Sequence, residues 1–172
     1  KWLHVQVERP GKMHFIITGS NASLLAGELS TALTGRHRTL EVYPFDFEEY
    51  LRLKPAHALE QYLDDGGFPK ALQVDDPPGL LREYFKDIIE RDVRRHVTVR
   101  STLLLTRLAK AVFESTGSET SLRKLAKMLE IAVDTIGGYL EAFHAAYLCL
   151  PCPYFTFSER KSLVRPSKYY PI

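Results

Sequence analysis

The chain has 172 residues, 45% of them hydrophobic, with 23 Lys and Arg against 21 Asp and Glu for a formal charge of +2. That is apolar material enough for a proper core in one domain or two small ones, and too little net charge to drive the molecule onto nucleic acid or a membrane by a global field. No apolar run reaches the roughly 18 residues of a bilayer span, and Lys1-Trp2-Leu3-His4 has neither an initiator Met nor a signal-peptide stretch, so a cytoplasmic protein without membrane contact is expected.

Met13 to Ile17 is a short apolar run followed at once by Thr18-Gly19-Ser20-Asn21, the pattern of a strand covered on both faces. Ala22 to Leu33 carries leucines at helical spacing, with Ser20 or Asn21 as N-cap and Gly35 beyond its end. Arg38 to Tyr43 reads as a second strand stopped by Pro44. Strand, helix and strand with short joins make a parallel-sheet unit. Short helices are expected over Asp46 to Leu53, over Ala56 to Leu63 and around Lys70 to Gln73, separated by the loop Asp64 to Pro69. Asp75-Asp76-Pro77-Pro78-Gly79 reads as a linker.

Leu80 to about Val97 is predicted as one amphipathic helix, with Asp87–Arg91 and Glu90–Arg94 as i,i+4 pairs on its outer face. The last third reads as helices over Leu103 to Ser115, Leu122 to Leu129 and Val133 to Ala145. Strands are expected over Tyr147 to Leu150, Tyr154 to Phe157 and Lys168 to Tyr170, with Ser158 to Pro166 as a connecting hairpin. That is the order of a winged helix-turn-helix. The closing Lys168 to Ile172 stops inside a strand-like run, and both ends read as cut. Cys149 and Cys152 form a lone C-x-x-C, too few ligands for structural zinc, so no metal site is expected.

Three motifs could carry chemistry. Thr18-Gly19-Ser20-Asn21 sits where ligands bind, beyond the carboxyl end of a parallel strand; a small polar side chain there can hold a water or touch a phosphate, or simply cap the next helix. Arg36 and Arg38 could stabilise charge on a neighbouring subunit's nucleotide, or complement a helix C-terminus. Gly66, Gly67 and Pro69 could let a backbone approach a flat base, or form an ordinary turn.

In this order and spacing the motifs resemble the bacterial and archaeal AAA+-related P-loop ATPases that carry a domain of unknown function after their core. The matching stretches are Ile16 to Leu25, Leu33 to Arg36, Leu40 to Phe47, Gly66 to Pro69, Tyr84 to Asp92 and Thr135 to Leu148. The resemblance implies a mainly α chain with short β: the remnant of a P-loop sheet with two parallel strands over 1–45, a helical lid over 46–78, a connecting helix over 79–100 and a winged-helix-like domain over 101–172. It implies catalytic roles for Ser20 or Asn21 and for Arg36, with Arg38 the alternative, and nucleotide contacts from Gly66, Gly67 and Pro69. ATP and magnesium would belong to the full-length parent. The sequence contains no G-x-x-x-x-G-K-[ST] and no apolar strand ending in acidic residues, so these residues alone are not expected to hydrolyse ATP.

DNA is the expected partner of the winged helix, and a homo-oligomer is compatible with Arg36 acting between subunits. Val133 to Ala145 carries Asp134 and Glu141 but no Lys or Arg, so phosphate contacts fall to Arg123, Lys124 and Lys127 and to Arg160, Lys161 and Arg165, with Thr135 and Tyr139 making weak contacts. A stand-alone winged-helix DNA-binding module and a protein-interaction scaffold are the alternatives.

Overall fold

The computed structural model describes residues 15–19, 38–99 and 101–172. The expected helix Ala22 to Leu33, and Ser20, Asn21 and Arg36, lie outside them. Seven α-helices and a two-stranded sheet make up the described residues: α1 Phe47–Leu53, α2 Leu59–Asp65, α3 Pro77–Asp87, α4 Thr102–Glu114, α5 Leu122–Leu129, α6 Val133–Ala145, β1 Cys149–Cys152, α7 Glu159–Val164 and β2 Lys168–Pro171. No helix among them is long and apolar enough to cross a membrane.

Neither 15–19 nor 38–43 forms a strand. Ile16, Leu40 and Val42 are more than four-fifths exposed, whereas a parallel strand needs covered faces and hydrogen-bonded neighbours. The parallel unit is therefore not seen among the described residues, where the sheet is antiparallel, pairing Cys149 with Pro171 and Cys152 with Lys168.

Asp46 caps α1 through a capping box: the Glu49 N–H donates to its Oδ1 at 2.8 Å, and its own N–H reaches Glu49 Oε2 at 3.2 Å. Helix α2 starts later than expected, at Leu59, where the Ala58 N–H is satisfied by Gln61 Oε1 at 2.7 Å. Helix α3 starts earlier, inside the expected linker. Asp76 accepts from the Gly79 N–H at 2.9 Å and prolines occupy the first positions, whose missing N–H groups cost nothing there. Its end is not an ordinary α-helix: Ile88–Asp92 is a π-helical turn and Val93–Arg95 a 3-10 turn.

Helices α5 and α6 have the expected bounds. Ser121 caps α5, and Glu130 ends it with a left-handed φ of 56°. The hairpin differs. Tyr154 to Phe157 is not a strand, and α7 replaces the expected turn. Pro151 and Pro153 lack the N–H groups a further strand would need, and the Tyr154 carbonyl is taken by the Ser162 hydroxyl at 3.1 Å.

One continuous core unites the second half. It contains Ile89 and Val93 from the irregular end of α3, Leu105, Leu108, Ala109 and Val112 from α4, Leu125 and Ala126 from α5, and Ile136, Leu140 and Phe143 from α6, closed by Leu148 and Cys149. Adjacent residues of α3 face two ways. Tyr84 meets Phe68 of the preceding loop at 5.4 Å between ring centroids, and Phe85 meets Phe113 of α4 at 5.8 Å.

Candidate functional site

The glycine-rich loop is locked to the segment that precedes α1. Gly67 O accepts from the Phe45 N–H at 2.8 Å, and a methyl group on Gly67 would collide with the Phe45 carbonyl oxygen. That same oxygen accepts from the Tyr62 hydroxyl at 2.8 Å. Gly66 holds φ 72° and ψ 176°, a region open to glycine almost alone. Each glycine thus has a backbone reason: one permits the turn, the other the contact. Phe68 turns inward onto Tyr84, and Pro69 is left exposed.

Beneath the loop lies a polar cluster that the sequence did not announce. Tyr50, fully buried on α1, donates to Asp65 Oδ2 at 2.6 Å, and its oxygen lies 2.6 Å from His57 Nδ1. With its single proton given to Asp65, the hydroxyl accepts from the His57 ring N–H. Burial and then the bond to Asp65 push the Tyr50 hydroxyl up to about 12. The Tyr62 ring packs edge-on to Tyr50 at 5.2 Å, and its hydroxyl is also raised, by burial first and then by Asp46 and Glu49.

A second link joins the first residues to the far domain. Glu41 accepts from Tyr43 at 2.8 Å and from Tyr147, just past α6, at 3.2 Å, while the two rings meet edge-on at 5.8 Å. The bond to Glu41 raises the Tyr43 hydroxyl; burial raises that of Tyr147, with Glu41 next.

Of the expected catalytic residues only Arg38 is described, and it is exposed. The expected DNA contacts divide. Arg123, Lys124 and Lys127 are exposed on α5, and Arg160, Lys161 and Arg165 on and after α7. Thr135 is half-buried, whereas Tyr139 is only 7% exposed and belongs to the core. Tyr139 lies on the same helical stripe as Ile136, Leu140 and Phe143, so its ring is spent on packing and cannot lie along a groove. The outer face of α6 presents Asp134 and Glu141, together with Gly137 and Gly138, where an added Cβ would meet nothing.

The end of α3 forms an open groove of about 480 Å³ lined by Asp87, Glu90, Arg91, Arg94 and Arg95. The expected Asp87–Arg91 pair is replaced there. Arg91 instead donates to its neighbour Asp92, through Nε at 3.1 Å and Nη2 at 3.0 Å. The π turn alters the i,i+4 geometry that such a pair needs, and the buried Asp92 carboxylate takes the guanidinium, which the bond holds more firmly protonated. Cys149 is buried on β1, its thiol pushed up to about 11 by burial; Cys152 is exposed, and both are free.

ATP and magnesium, which the sequence resemblance implies, do not fit these residues as a complete set. Gly67, the expected cradle, is filled by Phe45, and no group of three or more His, Cys, Asp or Glu side chains among the described residues is arranged to hold a metal ion.

Residues 56–172 match the profile of the family described as Domain of unknown function (DUF8612). The chain belongs to this family. Residues 1–51 match the AAA domain, relating the first part to AAA-type ATPases. The DUF8612 chain is 28% identical over 170 residues to an uncharacterized protein of Haemophilus influenzae, covering 90% of this chain and 42% of that protein. It is 29% identical over 182 residues to uncharacterized protein MJ1544 of Methanocaldococcus jannaschii, covering 92% of this chain and 41% of the relative. The chain thus spans about two-fifths of the length of these relatives. No solved structure matches it. The two family matches meet between residues 51 and 56, inside one packed unit: Tyr50 belongs to the first, and its partners His57, Tyr62 and Asp65 to the second.

Proposed function

We propose that this chain is the lid and following domain of an AAA-related ATPase, and that its residues couple the nucleotide state of the full-length protein to a winged-helix-like unit. ATP and magnesium would be held chiefly by parts of the longer protein, which would supply the phosphate chemistry. Ser20, Asn21, Arg36 and Arg38 remain the proposed residues of the first segment for sensing that chemistry, with Pro69 at the edge of the site. The domain limits proposed are 1–45, 46–78, 79–100 and 101–172, and α4, α5 and α6 followed by the β1–β2 hairpin have the element order of a winged helix-turn-helix.

One observation carries the reading: the segment with the AAA match is tied by directional bonds to the family domain, through Phe45 to Gly67 and Tyr62 and through Glu41 to Tyr147. A displacement of residues 38–45 must pull on both partners. From the glycine loop the path continues through Phe68 to Tyr84, and through Phe85 to Phe113, into the large core. Such a chain of contacts transmits force if the first segment has two positions.

The test is ATP turnover by the full-length protein and its Gly67→Ala variant. We expect hydrolysis by the parent, and at least about a tenfold loss of kcat in the variant, since misplacing a site by an ångström costs on the order of a hundredfold. Melting of the α4–α6 domain should be unchanged. A full-length protein that neither binds nor hydrolyses ATP would overturn the reading, and an unaltered kcat in Gly67→Ala would overturn the coupling.

A further inference from the structure

The connection between β1 and β2 is neither a tight hairpin nor a featureless loop. After Pro153 it displays three aromatic residues in a row of four, Tyr154, Phe155 and Phe157, at 45%, 80% and 99% exposure. Phe155 and Phe157 meet edge to face, with centroids 5.4 Å apart. Burying such rings is worth a kilocalorie or more each, yet both stand in water on a segment fixed by its own bonds: the Ser162 hydroxyl to the Tyr154 carbonyl at 3.1 Å, and the Ser158 N–H to Thr156 Oγ1 at 3.3 Å. The Arg165 guanidinium lies over the Tyr154 ring, 5.5 Å from its centroid.

The surrounding charge is one-sided. From Pro153 to Ile172 the sequence has Arg160, Lys161, Arg165 and Lys168 against Glu159 alone. The base of the loop is also tied to a second cationic element. Ser167 O accepts from the Thr120 N–H at 3.0 Å, immediately before α5, whose exposed face bears Arg123, Lys124 and Lys127. Flat rings among cations complement a polyanion with flat apolar faces. Stacked duplex bases are closed to such rings, and α6, which would have to enter the major groove, presents Asp134 and Glu141. Unstacked bases can lie on aromatic and guanidinium planes while cations follow the backbone. A protein helix would need a concave apolar groove, and Phe157 instead stands clear of all its neighbours.

We propose that residues 154–165 are a stacking platform for single-stranded nucleic acid, with Phe155 and Phe157 taking bases, and Arg160, Lys161, Arg165 and the first turn of α5 taking phosphates. The inference does not depend on the ATPase reading and needs no nucleotide.

The test is fluorescence anisotropy of a labelled oligothymidylate of about 20 nucleotides, a length beyond a single-module site, with the full chain at low salt. The same measurement is made with a duplex of equal length, and thermal melting is followed for each variant. The double variant Phe155→Ala/Phe157→Ala should weaken single-strand binding at least about tenfold, because each stacked base contributes a factor of five or more, with melting unchanged because the rings are exposed. The triple variant Arg160→Ala/Lys161→Ala/Arg165→Ala should lower the slope of log affinity against log salt by about 2, at roughly 0.7 per phosphate. Four results would overturn the proposal: no binding by the full chain, affinity unchanged in the double Phe variant, equal or tighter binding of the duplex, or displacement of the oligonucleotide by poly-glutamate at equal charge concentration. Phe-dependent capture by phosphatidylserine vesicles without oligonucleotide binding would assign the loop to membranes and would also overturn it.

Discussion

The unit around α1 and α2 and the domain built on α4 to α6 are stabilised by opposite means. Among the described residues of 38–79, only Tyr50 and Ala71 are fully buried, and position is set by directional bonds: Tyr50 to Asp65 and His57, Tyr62 to Phe45, Gly67 to Phe45. The second unit has a continuous aliphatic and aromatic core with one buried unpaired polar atom, Thr120 Oγ1. Apolar burial is non-directional and cumulative, so it makes a body that moves as a whole. A few hydrogen bonds fix a geometry sharply, yet each contributes only about 0.5–1.5 kcal/mol net, so they can be exchanged. A seat for moving parts and a rigid recipient are what these two regions supply.

The contrast is broken most forcefully at Phe143, which is fully buried in α6. Phe143→Ala should cost about 3–5 kcal/mol by leaving a cavity, read as a large fall in the denaturant midpoint of the whole second domain. A loss below about 1 kcal/mol would show that this core is not close-packed.

Tyr50→Phe should cost less, about 1–3 kcal/mol, because Asp65 and His57 lose their shared partner. It also carries a pH signature. The folded hydroxyl titrates near 12 against 10.0 for an ordinary tyrosine, so between those values the unfolded chain binds fewer protons than the folded one and stability falls as pH rises. Tyr50 therefore contributes fully below pH 10, and its contribution disappears as pH climbs toward 12, at about 1.4 kcal/mol per unit. Cys149, near 11 against 9.0, acts with the same sign from pH 9 upward. Alkaline melting curves should show the Tyr50 component vanish in Tyr50→Phe; identical curves for both proteins would remove it.

The smallest effect runs the other way. Gly137→Ala and Gly138→Ala put methyl groups into open space on α6 and should each raise stability by up to about 1 kcal/mol. Thermal melting decides this, and a fall would mean that the backbone at these glycines is already in contact with something.

The sequence reveals this molecule unevenly. Helices α5 and α6 can be read to the residue because apolar spacing, the Ser121 cap and the break at Glu130 agree. The start of α3 is misread because Asp-Pro-Pro-Gly is also good linker chemistry; only the Asp76 bond to Gly79 separates the two. Tyr154 to Phe157 alternates like a strand, but alternation describes a half-buried face, and here the rings face water. In the candidate site, Gly66 and Gly67 mark the loop as unusual, while Gly67's partner, Phe45, is remote in sequence and invisible to local patterns. The Tyr50–His57–Asp65 cluster leaves no sequence signal, since each residue is ordinary where it stands and only the packing of α1 against α2 brings them together.

The wide turn at Ile88–Asp92, where the Val93 N–H reaches both Ile88 O and Ile89 O, amounts to a residue held in reserve. Had the ladder kept ordinary α spacing, everything after it would be rotated by roughly 100°, and Ile89 and Val93 could not both enter the core that begins there. Tyr84 and Phe85 serve two masters upstream; the surplus residue lets the helix serve a third direction downstream without a hinge or a break. Excising one residue within that turn would leave both bodies intact but dial one against the other, like a shaft recut by a single tooth.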